Sequence, residues 1–253
     1  MPNTTFFVKL GAALSAFAIA LPVAAATADD APPSPGGLSF DESGGAEAPS
    51  VFDDGSTLAA PLREMLGNVV RFHGTLAGSR PGDAVAIQRL DRRAGWITAV
   101  ATSVGPDGTF DAAWRSDHAG RTTIRVVPDG QAPTASAAAA SPPTRDMTVF
   151  RPAKVTWYGP GFWGRHTACG QRLTRTLLGV AHRSLPCGTL VELYKDGRTV
   201  TVPVVDRGPF RAGASYDLTQ AAASALGVTA TSTVGAVRAD GSPAAPQPAT
   251  AGS

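Results

Sequence analysis

A chain of 253 residues has room for one or two folded domains. Its net charge of +2 makes it neither uniformly basic nor uniformly acidic, so any electrostatic partner must be read from local charge. No repeat of fixed period is present, which argues against a solenoid or propeller. Residues 1–28 hold one basic residue, Lys9, then an apolar run from Leu10 to Ala26 and the pattern Ala26-Thr27-Ala28 before Asp29. That layout predicts a secretory signal peptide cleaved after Ala26 or Ala28. The run is short and Ala-rich for a spanning helix, which needs about 20 strongly apolar residues. Residues 29–61 collect Asp29, Asp30, Asp41, Glu42, Glu47, Asp53 and Asp54 among Pro, Gly and Ser, with no Lys or Arg. The expectation there is a disordered acidic segment.

Residues 62–129 read as strands. Ala84–Leu90 and Trp96–Ala101 alternate in part, Gly105-Pro106-Asp107-Gly108 is a turn, and Thr109–Trp114 and Thr122–Val127 follow. Short strands at this spacing predict a small β-sandwich, and the pattern resembles bacterial immunoglobulin-like modules of exported proteins. His73 and His118 have no evident partners in the sequence and read as surface positions. Residues 130–149, with Pro133-Thr134-Ala135-Ser136 and Ser141-Pro142-Pro143, predict a flexible linker. Residues 150–238 again read as β, from a strand at Lys154–Tyr158 to a hairpin of Leu190–Tyr194 and Thr199–Val205 about Lys195-Asp196-Gly197. One short helix is predicted at Gln220–Gly227, capped by Asp217 or Thr219 and ended by Gly227. Residues 239–253 hold too few large apolar groups to pack and predict a disordered tail. The fold class is therefore all-β with one short helix.

Charge is concentrated in the second region. Residues 150–238 carry eleven Lys and Arg against four Asp and Glu, a face suited to polyanions. Nucleic acid fits such a charge, but an exported chain does not meet it, and a soluble Arg-rich surface explains the charge equally. The chain's two cysteines, Cys169 and Cys187, also lie here. In an exported chain they read as a disulfide, because two cysteines without well-spaced histidines make a poor zinc site and a free thiol does not last outside the cell. No metal or cofactor is expected.

The motifs of this region are Thr156-Trp157-Tyr158-Gly159-Pro160-Gly161, Thr167-Ala168-Cys169-Gly170-Gln171, Ala181-His182-Arg183-Ser184-Leu185-Pro186, Asp206-Arg207-Gly208-Pro209-Phe210 and Tyr216-Asp217-Leu218-Thr219. In that order they resemble the RlpA-like (rare lipoprotein A) family, related to expansins and family-45 endoglucanases. The resemblance covers about a third of the chain. It implies a six-stranded double-psi β-barrel and lytic transglycosylation of peptidoglycan glycan strands. It also implies a location outside the cell at the wall, with other wall or division proteins as further partners. No cysteine lies near the cleavage site to carry the lipid from which the family is named, so no stable membrane anchor is expected.

By this resemblance Asp206 is the general acid, with Val204 and Val205 beside it to exclude water, and His182 matches the family's essential histidine. One acid suffices for the lytic reaction. It protonates the glycosidic oxygen and then, as carboxylate, takes the proton of the sugar's 6-hydroxyl while a 1,6-anhydro ring closes. Substrate-binding positions are Tyr158, Trp163, Gln171, Arg207 and Asp217. Trp157, Phe210 and Tyr216 are further aromatic candidates, and His166 is a weaker histidine. Asp217 either completes a hydrolytic carboxylate pair with Asp206 or caps the helix. Gln171 stands where many members have Glu. If that Glu transfers protons, this chain is impaired; if it only positions substrate, the amide suffices. The competing class is a non-catalytic, expansin-like wall-loosening or binding module, and cellulose or chitin is a further substrate option.

Overall fold

A computed structural model describes residues 38–40, 48–129, 142–210 and 213–239. All lie in the unit Pro35–Ser253. The expected signal peptide, about half of the acidic segment, the first part of the linker and nearly all of the tail fall outside the described residues. The described chain is mostly β with one helix.

Two-residue periodicity builds the first part. In β5 (Val69–Thr75), Val70 and Phe72 are buried while Val69, Arg71 and His73 face out. Its partner β8 (Thr109–Arg115) turns Phe110, Ala112 and Trp114 inward. These two strands join β2 (Ser50–Val51) and β3 (Thr57–Ala59) in a sheet ordered β2-β3-β5-β8. A second sheet holds β6 (Ala84–Asp91), β7 (Gly95–Ser103), β9 (Gly120–Pro128), the first half of β10 (Thr144–Tyr158) and the short β4 (Arg63–Met65). The sheets share one core in which Leu58, Phe72 and Phe110 of the first meet Ile87, Ile124 and Val149 of the second.

The structure departs from the expected boundaries at both ends of this part. Leu58, inside the expected acidic disorder, is fully buried because β3 pairs with β5. At the other end, Thr144–Val149 of the expected linker pair with β9. Here β10 does not stop. It runs through Pro152 and enters the second part of the chain, where Arg151–Val155 pair with β15 (Ser232–Arg238) and Val155–Tyr158 with β14 (Tyr216–Thr219).

In that second part the pairings run β14, β11 (Val180–Ala181), β13 (Arg198–Asp206), β12 (Leu190–Lys195), β15, β10, and β10 pairs back with β14. Two of these pairings are parallel, β10 with β14 and β11 with β13. A further strand, β1 (Leu38–Phe40), pairs with β13. Val155, Leu193, Val202, Val204, Leu218 and Val234 fill the core, closed by Ala222 and Leu226 of helix α1 (Gln220–Leu226). Thr219, not Asp217, caps α1: its side chain accepts from Ala222 N–H, and Gly227 ends the helix at φ 71°. The β12–β13 turn at Asp196 and Gly197 has positive φ at both residues, 49° and 81°. Asp-Gly supplies that conformation at low steric cost.

Candidate functional site

The strand register assembles the site. Asp206 is the last residue of β13, and Ala181 on β11 stands opposite it. On its other edge Ala181 stands opposite Asp217 of β14, and Asp217 is opposite Thr156 of β10. The β11–β13 pairing shifts register between Val180 and Ala181, and the Asp206 carboxylate lies near enough to Asp217 for its charge to act on that carboxyl. Their backbones are about two strand spacings, ~10 Å, apart.

Asp206 is held by the backbone. Its Oδ1 accepts from Ala168 N–H and from Arg207 N–H, both at 2.8 Å, and Oδ2 takes no part in these bonds. Asp217 Oδ1 accepts from the Thr156 hydroxyl at 2.8 Å. Burial lifts the Asp217 carboxyl above its ordinary pKa; the Thr156 bond opposes this, and the charge of Asp206 adds to it. Tyr158 lies two residues from Thr156 on β10 and so faces the same way. Its hydroxyl is buried without a hydrogen bond of good geometry, with Asp206 as the acceptor within reach. Burial first, then the charges of Asp206 and Asp217, hold its pKa far above the ordinary tyrosine value. Asp206, Asp217 and Tyr158 thus come together as a set.

His182 and Arg207 take different places. The imidazole is fully buried and packs against Tyr216 with ring centroids 5.0 Å apart. Its Nδ1 accepts from Ser184 N–H at 3.2 Å and Leu185 N–H at 2.9 Å, which puts the proton of the neutral ring on Nε2. Burial, then the charges of Arg207 and Arg183, lower its pKa to about 4. Its backbone N–H donates to Asp206 O at 3.1 Å. Arg207, expected on substrate, turns to the chain itself. Nη1 donates to Leu185 O at 3.0 Å and His182 O at 3.4 Å, and Nη2 lies 3.3 Å from Cys187 Sγ. Cys187 is disulfide-bonded to Cys169, which ties the loop after β11 to the loop before it, on either side of the end of β13.

Gln171 is exposed, but with its amide turned to satisfy its neighbours its head group meets the chain itself. Its amide nitrogen faces Val205 O at 3.3 Å, Cys169 O at 3.2 Å and Thr167 Oγ1 at 3.1 Å. Trp163 is half-buried and lies over Gly159, where a Cβ would fall 2.4 Å from the indole; the ring needs glycine beneath it. Tyr216 is buried, and Trp157 packs on the core with Nε1 donating to Thr229 O at 3.1 Å, so neither is exposed for stacking. Among the described residues, Phe210, 87% exposed, and Phe162, 50% exposed, are the aromatics open to solvent. Phe162 stands edge-on to Tyr158, at 6.4 Å, with the Arg165 guanidinium over its ring. It was missed in the sequence because no motif marks it and hydrophobicity alone suggests burial. His166 is exposed and bonded to Gly170 O, and His73 pairs across the sheet with Asp111 at 3.0 Å.

Residues 153–239 match the family described as lytic transglycolase, a double-psi β-barrel. This part of the chain is thus similar to the RlpA-like double-psi β-barrel family. Among its relatives, the probable endolytic peptidoglycan transglycosylase RlpA of Aquifex aeolicus is 51% identical over 76 residues, 29% of this chain and 34% of that protein. The protein of the same name from Synechocystis is 47% identical over 76 residues, 29% of this chain and 24% of that one. The endolytic peptidoglycan transglycosylase RlpA of Campylobacter jejuni is 40% identical over 81 residues, 31% of this chain and 30% of that one. The chain thus spans only about a quarter to a third of the length of these relatives. A solved structure, Streptomyces papain inhibitor (SPI), is 30% identical and covers 34% of this chain and 92% of its own, at a TM-score of 0.28.

Proposed function

We propose that this chain is an exported cell-wall protein that cleaves peptidoglycan glycan strands by lytic transglycosylation, with Asp206 as general acid and base. The observation that carries this reading is the Asp206 carboxyl, fixed through Oδ1 by two backbone N–H groups beside Asp217 and Tyr158. The names of the relatives supply the substrate class. A fixed carboxyl costs no reorganisation when charge develops at the sugar. Asp206 gives its proton to the glycosidic oxygen as the C1–O bond breaks. The resulting carboxylate takes the 6-hydroxyl proton as O6 bonds to C1, leaving a 1,6-anhydro end and no net change in the protein. Tyr158 keeps its proton, Asp217 and Tyr158 hold the sugar's hydroxyls, and Phe162 and Phe210 offer ring faces to the sugars. His182 is a positioning residue: its ring is neutral and buried, and its backbone N–H donates to the backbone carbonyl of Asp206.

In this reading the six barrel strands close on themselves, the immunoglobulin-like part is a spacer, and the Arg-rich barrel attracts the anionic wall. Release of dye-labelled fragments from sacculi stripped of stem peptides tests it. Asp206→Asn is expected to lower release at least about a hundredfold while sedimentation with sacculi stays near wild type. Unchanged release by that variant defeats the mechanism. Tight sedimentation with no release by the wild-type chain points instead to an expansin-like binder.

A further inference from the structure

The residues around Gln171 form a clip. Thr167 N–H donates to Gln171 O at 2.8 Å, closing residues 167–171 on themselves. Cys169 N–H reaches Val205 O at 3.3 Å, and the Gln171 amide faces that same carbonyl at 3.3 Å, so two donors fasten the loop to β13 one residue before Asp206. Immediately before Cys169 comes Ala168, whose N–H donates to Asp206 Oδ1 at 2.8 Å. The disulfide from Cys169 to Cys187 pins the loop from its other side. An amide suits this place because it carries N–H donors. A carboxylate has only acceptors and would face the carbonyls of Val205 and Cys169.

We propose that Gln171 is a positioning residue whose amide keeps Ala168 N–H on the catalytic carboxyl, so that this chain requires a donor, not an acid, at position 171. The inference rests on the reading of Asp206 as the acid. It assigns Gln171 to the protein's own backbone instead of to substrate, and makes the exchange of acid for amide a change of task.

Amide hydrogen exchange by NMR on the full chain, for wild type, Gln171→Glu and Gln171→Leu, tests it without relying on activity. Loss of one such hydrogen bond is expected to speed exchange at Ala168 about tenfold in both variants, with the core amide of Phe72 unchanged. On stripped sacculi kcat is expected to fall about tenfold with KM held within about twofold, the split of a displaced acid. A Gln171→Glu chain that cleaves faster than wild type, with Ala168 exchange unchanged, overturns the proposal and makes 171 an acid site lacking its acid. So does unchanged Ala168 exchange in Gln171→Leu. If the wild-type chain cleaves no glycan, the functional reading falls, and the exchange rates still decide the clip.

Discussion

At the scale of single residues, His182 links the site to stability. Its ring titrates at about 4 in the folded chain, against an ordinary 6.5. Between those values the unfolded chain binds a proton that the folded chain does not, so this contribution is present above pH 6.5 and is lost as pH falls toward 4. Its full size is about 3 kcal/mol. Urea unfolding is expected to show a stability loss over that window that is much smaller in His182→Phe; equal pH slopes would remove the imidazole as the cause. Phe210 makes the opposite prediction. With 87% exposure it contributes little to folding, so Phe210→Ala should leave stability within about 0.5 kcal/mol and weaken sacculus binding about fivefold. Co-sedimentation with sacculi and thermal unfolding check both parts, and unchanged binding would take Phe210 out of the site. Asp206 and Asp217 were legible because whole motifs surround them. The approach of the Gln171 and Arg207 head groups to backbone carbonyls was not, because a sequence names the donor but not which carbonyl the folded loop brings to it.

At the scale of elements, the loops around the end of β13 are held by several specific bonds. The Cys169–Cys187 disulfide closes a separation of 18 residues, worth about 3 kcal/mol in the chain-entropy model. Cys169→Ser with Cys187→Ser should lower stability by about that amount and lower glycan release together with it; a stable but inactive double variant would localise the effect to the Ala168 clip. Thr219 carries two bonds, accepting from Ala222 N–H at 3.4 Å and Gly179 N–H at 3.2 Å. Thr219→Val should therefore cost about 1–2 kcal/mol by chemical denaturation. The β12–β13 hairpin was readable because Asp-Gly between alternating Val and Thr has one economical conformation. β10 was not readable as one strand. Pro152 cannot donate to a ladder and argues for a break, yet its neighbours on both sides find partners in β9 and β15.

At the scale of the whole molecule, β10 couples the two parts more tightly than a linker would, because Thr144–Val149 pair in one sheet and Arg151–Tyr158 in the other. The half-exposed Arg121 of β9 adds a bond at 2.6 Å to the buried Glu192 of β12. Calorimetry is expected to show one unfolding transition; two well-separated peaks would mean that the shared strand does not transmit cooperativity. The charge pattern, the order of motifs and the all-β class were visible in the sequence, since each rests on local composition. The shared strand depends on pairing between residues far apart in the chain, which local pattern does not encode. The most direct test of the central claim is mass spectrometry of the fragments released from stem-peptide-free sacculi. The account predicts 1,6-anhydro-muramyl ends from the wild-type chain and none from Asp206→Asn. Reducing ends in their place would contradict it and make Asp206 and Asp217 a hydrolytic pair.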